Sequence, residues 1–227
     1  FIDLKIERIK TYSTKVSVLL PVKDAQDTLD DCLRSIINQT FTNWELVAID
    51  DFSTDKSYAL LTQFSQKDSR IKVYRNLKTG IVNGLNQGIS LAKSDFIARM
   101  DADDIMLPHR LSEQMQVMHA RADLGLISSL VKHIPSGNHD TRGYKSYVKW
   151  TNEIKSSNEI SVSRFIESPF AHPSVIFRKE LIHMYGGYRS GDFPEDSQVD
   201  QTLAVKKIAS GEAYACAIDF EDKLRCF

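Results

Sequence analysis

Short apolar runs alternate with amphipathic stretches from Lys15 to Val131, and the connections between them are brief. Lys15–Pro21 (KVSVLLP) reads as a buried strand ended by proline. Asp27 or Thr28 then offers an N-cap. Leu29, Cys32, Leu33, Ile36 and Ile37 follow at the i, i+3, i+4, i+7, i+8 spacing of an amphipathic helix. Trp44–Ile49 (WELVAI) is a second strand, and Ser53-Thr54-Asp55 caps a helix whose apolar positions include Tyr58, Leu61 and Phe64. Ile71–Tyr74 is a third strand, and Gly80–Ala92 is helical although Gly84 and Gly88 weaken the pattern. Phe96–Met100 (FIARM) is a fourth strand. Pro108 suits the first turn of a helix with Leu111, Met115 and Met118 on its core face, and Leu124–Val131 is a fifth strand. This alternation predicts βαβ units, hence an α/β fold with a mostly parallel central sheet flanked by helices.

Residues 1–14 are a charged lead-in to which no function is assigned. Residues 15–227 read as one domain. The loop-like Pro135–Thr141 (PSGNHDT) is expected to join a donor half, 15–134, to an acceptor half, 135–227. The chain opens on Phe1 rather than an initiator Met and stops just after a strand-like stretch, so the acceptor half is expected to be cut short at its C-terminus.

Ligands of open parallel sheets bind outside the carboxyl ends of the strands. Two acidic clusters sit at such ends: Asp50-Asp51 after the second strand, and Asp101-Ala102-Asp103-Asp104 after the fourth. Three carboxylates within four residues repel one another unless a cation is near. Hard divalent ions such as Mg2+ and Mn2+ relieve that repulsion, bound by one or two carboxylates plus substrate phosphates. A solvated turn capping the next helix would use the same residues, and spacing alone does not separate the two. Asp50-Asp51 could accept hydrogen bonds from ribose hydroxyls or a base N–H, although a plain strand-to-helix turn is the commoner use of such a pair. Glu195-Asp196 precedes a helical stretch with Val199, Leu203, Ala204 and Ile208. It could supply a general base for an attacking hydroxyl, or merely charge at a helix N-terminus. His172-Pro173-Ser174 could place a donor near phosphates, but a lone histidine beside proline is more often structural.

Composition removes several alternatives. Lys+Arg number 29 against Asp+Glu 30, a net charge of −1, so duplex nucleic-acid binding has no electrostatic footprint. His109, His119, His133, His139 and His183 form no ligand pair, and Cys32, Cys216 and Cys226 lack metal spacing, which argues against zinc. Cys32 falls on the apolar helix face and reads as a small buried hydrophobe. Neither GxGxxG nor GxxxxGK[ST] occurs, so dinucleotide and P-loop sites lose their support. No run approaches the ~18 apolar residues of a membrane span. There is no signal-peptide pattern, and the sparse, odd cysteine count suits the cytosol.

Taken in order, these segments resemble the family 2 inverting glycosyltransferases of GT-A fold, from Lys15 to about Arg225. The resemblance rests on VSVLLPVKDAQDTLDDCLRSIINQTFTNWELVAIDDFSTDKS, RIKVYRN, GLNQGISLAKSDFIARMDADDIMLPHRL, AHPSVIFRKELI, GGYR and PED. It implies that Pro21, Val22, Asp24 and Asp51 contact the nucleotide base and ribose. Asp24 stands where the family often has Asn, and Phe52 where Gly is common. Asp101 and Asp103 fall on the family's DxD, with Asp103 the direct ligand of Mn2+ or Mg2+ and Asp101 nearer the ribose or donor sugar. Arg99 is placed for donor contacts, and His172 in a segment lining the site. Asp196 would be the catalytic base, supported by Glu195.

The resemblance further implies one in-line displacement with inversion, from a nucleotide-diphospho-sugar, expected to be a UDP-sugar, to a hydroxyl of a glycan or lipid-linked acceptor. A role in cell-surface polysaccharide or glycolipid synthesis would put a cytoplasmic chain without a span at the cytoplasmic face of a membrane. Ser197-Gln198-Val199-Asp200 departs from the aromatic and acidic residues the family carries after its ED pair. That departure keeps open an alternative, a nucleotide-sugar-binding domain with impaired turnover. A nucleotidyltransferase on a similar sheet is disfavoured by the lack of a Gly-rich basic loop near the first strand.

Overall fold

The computed structural model describes residues 15–135, 142–154, 159, 162–163, 168–189, 209–210, 216–218 and 224–226. The strands are β1 (Val16–Val22), β2 (Trp44–Asp50), β3 (Ile71–Arg75), β4 (Phe96–Arg99), β5 (Leu126–Ser129), β6 (Val175–Arg178), β7 (Ala209–Ser210), β8 (Cys216–Ile218) and β9 (Leu224–Cys226). The helices are α1 (Leu29–Ile37), α2 (Ser57–Lys67), α3 (Ile81–Leu91), α4 (Arg110–Ala120), α5 (Arg142–Glu153) and α6 (Glu180–Tyr185). Seven strands form one sheet in the order β3-β2-β1-β4-β6-β5-β7, and β8 pairs with β9 apart from it. Strands β3, β2, β1 and β4 are parallel, as are β5 and β7, whereas β6 runs antiparallel to both its neighbours.

The sheet is apolar on both sides, which explains why its strands read as continuous hydrophobic runs rather than alternations. Val18, Leu20, Leu46 and Ala48 pack with Leu33 and Ile36 of α1, Leu61 of α2 and Met115 of α4. On the opposite face Leu19, Val47, Ile49, Ile97 and Phe177 pack with Leu85 and Ile89 of α3. Burying each such Leu or Ile fully stabilises the fold by roughly 1.5–3 kcal/mol.

Register decides where the site lies. Val22 stands opposite Asp50 and Leu19 opposite Arg99, so β1, β2 and β4 deliver their carboxyl ends to one edge. Because β6 is antiparallel, its beginning reaches that same edge. A strand at Val175–Arg178 lay outside the sequence expectation. The fifth strand is shorter than expected, and Pro108 lies just before the N-cap His109 rather than inside α4.

Gly84 and Gly88, which weakened the helical reading of α3, are the reason the helix lies close on the sheet. A Cβ on Gly88 would collide with Leu19 Cδ1 and stand 3.3 Å from Ile49 Cγ1. Helix propensity alone makes Ala better than Gly by about 1 kcal/mol. Leu19 and Ile49 are fully buried, so they have little room to yield. Gly88→Ala is therefore expected to lower stability by about 1–3 kcal/mol in urea unfolding. A stabilised variant would show that α3 can lift off the sheet at no cost.

Candidate active site

The acidic loop after β4 is held from below by one face of α1 and its flanks. Thr28 Oγ1 donates to Ala102 O at 3.0 Å and Cys32 Sγ to Asp101 O at 3.3 Å. Ser35 Oγ accepts from Met106 N at 3.0 Å. Gln39 Nε2 donates to Leu107 O at 2.7 Å and to Met106 O at 3.3 Å, while its Oε1 accepts from Leu111 N. These four side chains are spaced i, i+4, i+7, i+11, one helical face. The sequence pattern marks Cys32 as a small hydrophobe and Thr28 as an N-cap candidate, a position Thr28 does hold, but it singles out neither Ser35 nor Gln39, although that periodicity links all four. Burial, with Asp104, Asp101 and Asp103 nearby, raises the Cys32 thiol far above its usual range, so it stays a neutral donor.

Two arginines underlie the same loop. Arg99, at 1% exposure, puts Nη2 2.6 Å from Asp101 Oδ1, and its Nη1 donates to Met100 O. The residue expected to touch the donor thus sits beneath the acidic loop. Arg110 Nη2 bridges Arg99 O at 3.1 Å and Val175 O at 3.2 Å. Burial lowers its pKa to about 10, with Arg99 acting in the same direction. Asp103 is exposed, Asp101 half-buried at 31% exposure, and Asp104 half-buried. Burial, then Asp101 and Asp103, raise the Asp104 carboxyl to about 6 against the pull of Arg110 and Arg99. The loop carries three carboxylates, Asp101, Asp103 and Asp104, against the two guanidinium groups of Arg99 and Arg110. Among the described residues no three His, Cys, Asp or Glu side chains are gathered as a metal cluster. Carboxylate oxygens of this kind are the donors that suit a hard cation.

At the ends of β1 and β2 the loops are laced together. Asp24 Oδ1 accepts from Thr54 N at 2.7 Å and from Thr54 Oγ1 at 3.1 Å. Asp24 N donates to Ser53 Oγ, Ala25 N to Ser57 Oγ, and Gln26 N to Asp55 Oδ2. Asp24 and Phe52 both have positive φ, 45° and 57°. For residues with a Cβ this region costs roughly 1–2 kcal/mol, and it persists only where neighbours impose it. Asp51, 7% exposed, accepts from Gly80 N at 3.0 and 3.1 Å and from Asn76 Nδ2 at 2.7 Å, with Lys23 Nζ 3.4 Å away. Gly80 reaches it with φ of 112° at the N-cap of α3, a conformation suited to glycine. Pro21 and Val22 close the floor beside Ile49 and Asp50.

A short 3₁₀ turn, His172–Ser174, leads into β6, so the antiparallel strand brings it beside the acidic loop. Gln114 of α4 donates to Ser174 O at 2.9 Å. His172 Nε2 and Tyr188 Oη share a 2.8 Å hydrogen bond, and Tyr188 is clamped to Asn86 of α3 by two backbone hydrogen bonds. Glu195 and Asp196 lie outside the described residues. The structure thus brings Pro21, Val22, Asp24, Asp51, Arg99, Asp101, Asp103 and His172 to one edge, and it adds Arg110, Tyr188 and the α1 face.

An α/β sheet carrying an acidic loop at the end of β4, with antiparallel β6 beside it, is the GT-A architecture of nucleotide-diphospho-sugar transferases. The model of glycosyl transferase family 2 matches residues 17–186, and the chain belongs to that family. It is 30% identical over 188 residues to the O-antigen biosynthesis glycosyltransferase WbnJ of Escherichia coli, covering 80% of this chain and 68% of that protein. It is 29% identical to an uncharacterized glycosyltransferase of Haemophilus influenzae, over 79% of this chain and 56% of that protein. Staphylococcus aureus TarS superposes with a TM-score of 0.69 at 17% identity, over 88% of this chain and 59% of that one. The mannosyltransferase PcManGT of Pyrobaculum calidifontis, solved with GDP-Man and Mn2+, gives 0.66 at 18% identity, over 89% and 56%. These last two likenesses show the fold. No helix among the described residues is long and apolar enough to cross a membrane.

His172 supplies a pH test of the site. Burial, then Arg99, holds its pKa well below the ordinary value, so it is neutral in the fold. An unfolded histidine takes its proton near ~6.5, so this stabilisation is complete above that pH and is lost as pH falls below it. The limiting slope is about 1.4 kcal/mol per pH unit. His172→Gln is expected to flatten the fall in unfolding free energy between pH 7 and 5. Parallel profiles for the two proteins would mean that His172 is solvated and titrates freely.

Proposed function

We propose that the chain carries the donor site and catalytic base of an inverting glycosyltransferase that moves a sugar from a UDP-sugar to a hydroxyl acceptor. The single observation that carries this reading is the under-compensated acidic loop at the end of β4, adjoining the buried Asp51 edge. Diphosphate, ribose and base are the groups such an edge can recognise. TarS solved with UDP-GlcNAc supports a uridine donor. The acceptor class is supported by WbnJ and by an Escherichia coli UDP-Glc:alpha-D-GlcNAc-diphosphoundecaprenol beta-1,3-glucosyltransferase, 36% identical over 104 residues. A lipid-linked acceptor for polysaccharide synthesis would put the chain at the cytoplasmic face of a membrane.

Pro21, Val22, Asp24 and Asp51 form the base and ribose end, with Asp24 acting through the loop it fixes. Asp103 and Asp101 would hold Mn2+ or Mg2+, as the Mn2+ complex of PcManGT supports. Bound there, the ion would supply positive charge to the diphosphate as its nucleotide departs. Arg99 orients Asp101 from beneath. His172, kept neutral and fixed by Tyr188, lines the sugar side. Asp196, supported by Glu195, takes the proton of the attacking hydroxyl as that oxygen bonds to the anomeric carbon on the face opposite the leaving diphosphate. General base assistance of this kind contributes ~10²–10⁴-fold.

Asp103→Asn and Asp196→Asn are each expected to lower sugar transfer by about 10²–10⁴-fold with an unchanged unfolding midpoint. Turnover of UDP-sugars with Mn2+ or Mg2+ across an acceptor panel measures it. Retained rate in both variants defeats the assignment. UDP binding without transfer by the wild-type chain would instead favour a binding domain, the reading that Ser197-Gln198-Val199-Asp200 keeps open.

A further inference from the structure

Phe52 is held in a conformation that neither burial nor backbone preference explains. It follows Asp51 directly at the carboxyl end of β2, with φ of 57°, and its side chain is 48% exposed. A bulky aromatic with positive φ is a genuine outlier. An exposed phenyl ring also gives up the transfer free energy that normally rewards an aromatic for its burial. Two unfavourable features at one residue call for something that the ring itself does.

The surroundings impose this posture. Asp51 N is tied to Val22 O at 2.7 Å and its carboxylate to Gly80 N, which fixes the residue before Phe52. Ser53 and Thr54, just after it, are bonded across to Asp24. The backbone on either side of Phe52 is thereby fastened to the β1 loop, and Phe52 is the residue between the two fastenings. A half-exposed ring on a fastened backbone, next to a buried carboxylate at the strand ends where ligands of such sheets bind, has the form of a stacking platform.

We infer that Phe52 is the base-stacking residue of the donor site, giving affinity for the nucleobase of a nucleoside diphosphate rather than choice among bases. This inference rests on the nucleotide-sugar reading above. Stacking on an aromatic face is tolerant of base identity, because every base presents a π-face.

Glycine and asparagine accept positive φ, so Phe52→Gly and Phe52→Asn remove the ring while relieving the backbone. By calorimetry with Mn2+, both are expected to bind UDP and GDP about 5- to 100-fold more weakly than wild type, the range of one lost stacking contact. Inorganic pyrophosphate should bind unchanged, and the unfolding midpoint should hold or rise. Phe52→Tyr should keep wild-type affinity. The platform is overturned if the Gly and Asn variants bind UDP as wild type does, or if pyrophosphate affinity falls with that of the nucleotides. A wild-type chain that binds neither nucleotide overturns both this inference and the donor reading.

Discussion

The acidic loop depends on the polar seam of α1. Three carboxylates within four residues would spread apart in water, and a loop free to do so would present no defined cation site. Here the peptide groups are fastened, and of the carboxylates Asp101 is held by Arg99. Thr28 and Cys32 hold the Ala102 and Asp101 carbonyls, and Ser35 and Gln39 hold the chain at Met106 and Leu107. Each such bond contributes only about 0.5–1.5 kcal/mol net. Together they favour one conformation of the loop, in which Asp103 is exposed. The adjacent face of the same helix is anchored in the core by Leu29, Leu33 and Ile36, and Cys32 belongs to both.

The nucleotide edge is built by a second device, mutual capping of adjacent loops. Asp24 satisfies the β2 loop while Ser53, Asp55 and Ser57 satisfy the amides of the β1 loop, so neither conformation stands alone. Backbone N–H groups that would otherwise bond water are thereby paired within the protein. Asp51 extends the chain of dependence to α3 through Gly80, and Asn86 carries it on to Tyr188 and His172. Base end and sugar end of the proposed donor site are therefore joined through one helix, α3, whose close seat on the sheet depends on Gly88.

Periodicity made the parallel half of the sheet legible. Leu29 to Ile37 showed α1, the continuous runs of β1, β2 and β4 showed two-sided burial, and the acidic clusters fell at strand ends. The strand β6 was not legible, because three apolar residues between a proline turn and a short helix carry no period of their own. Its antiparallel direction is a tertiary fact, and that direction alone puts His172 beside the acidic loop. The burial of Arg99 was not legible, since a guanidinium within an apolar strand reads equally well as pointing out. The α1 seam was written in the spacing of Thr28, Cys32, Ser35 and Gln39. It was masked because Cys32 also satisfies the apolar pattern.

The two buried arginines bear on how firmly a cation would be held. Asp101, Asp103 and Asp104 bring three negative charges, and Arg99 and Arg110 return two positive ones from beneath. A loop with no arginines would grip a divalent ion tightly whether or not a nucleotide were present. One fully neutralised would not attract the ion at all. The residual deficit lies between these limits, and the diphosphate's own charge would tip it toward binding. On the proposed reading, ion and donor then arrive and leave together, which suits a site that must release a nucleoside diphosphate after every transfer.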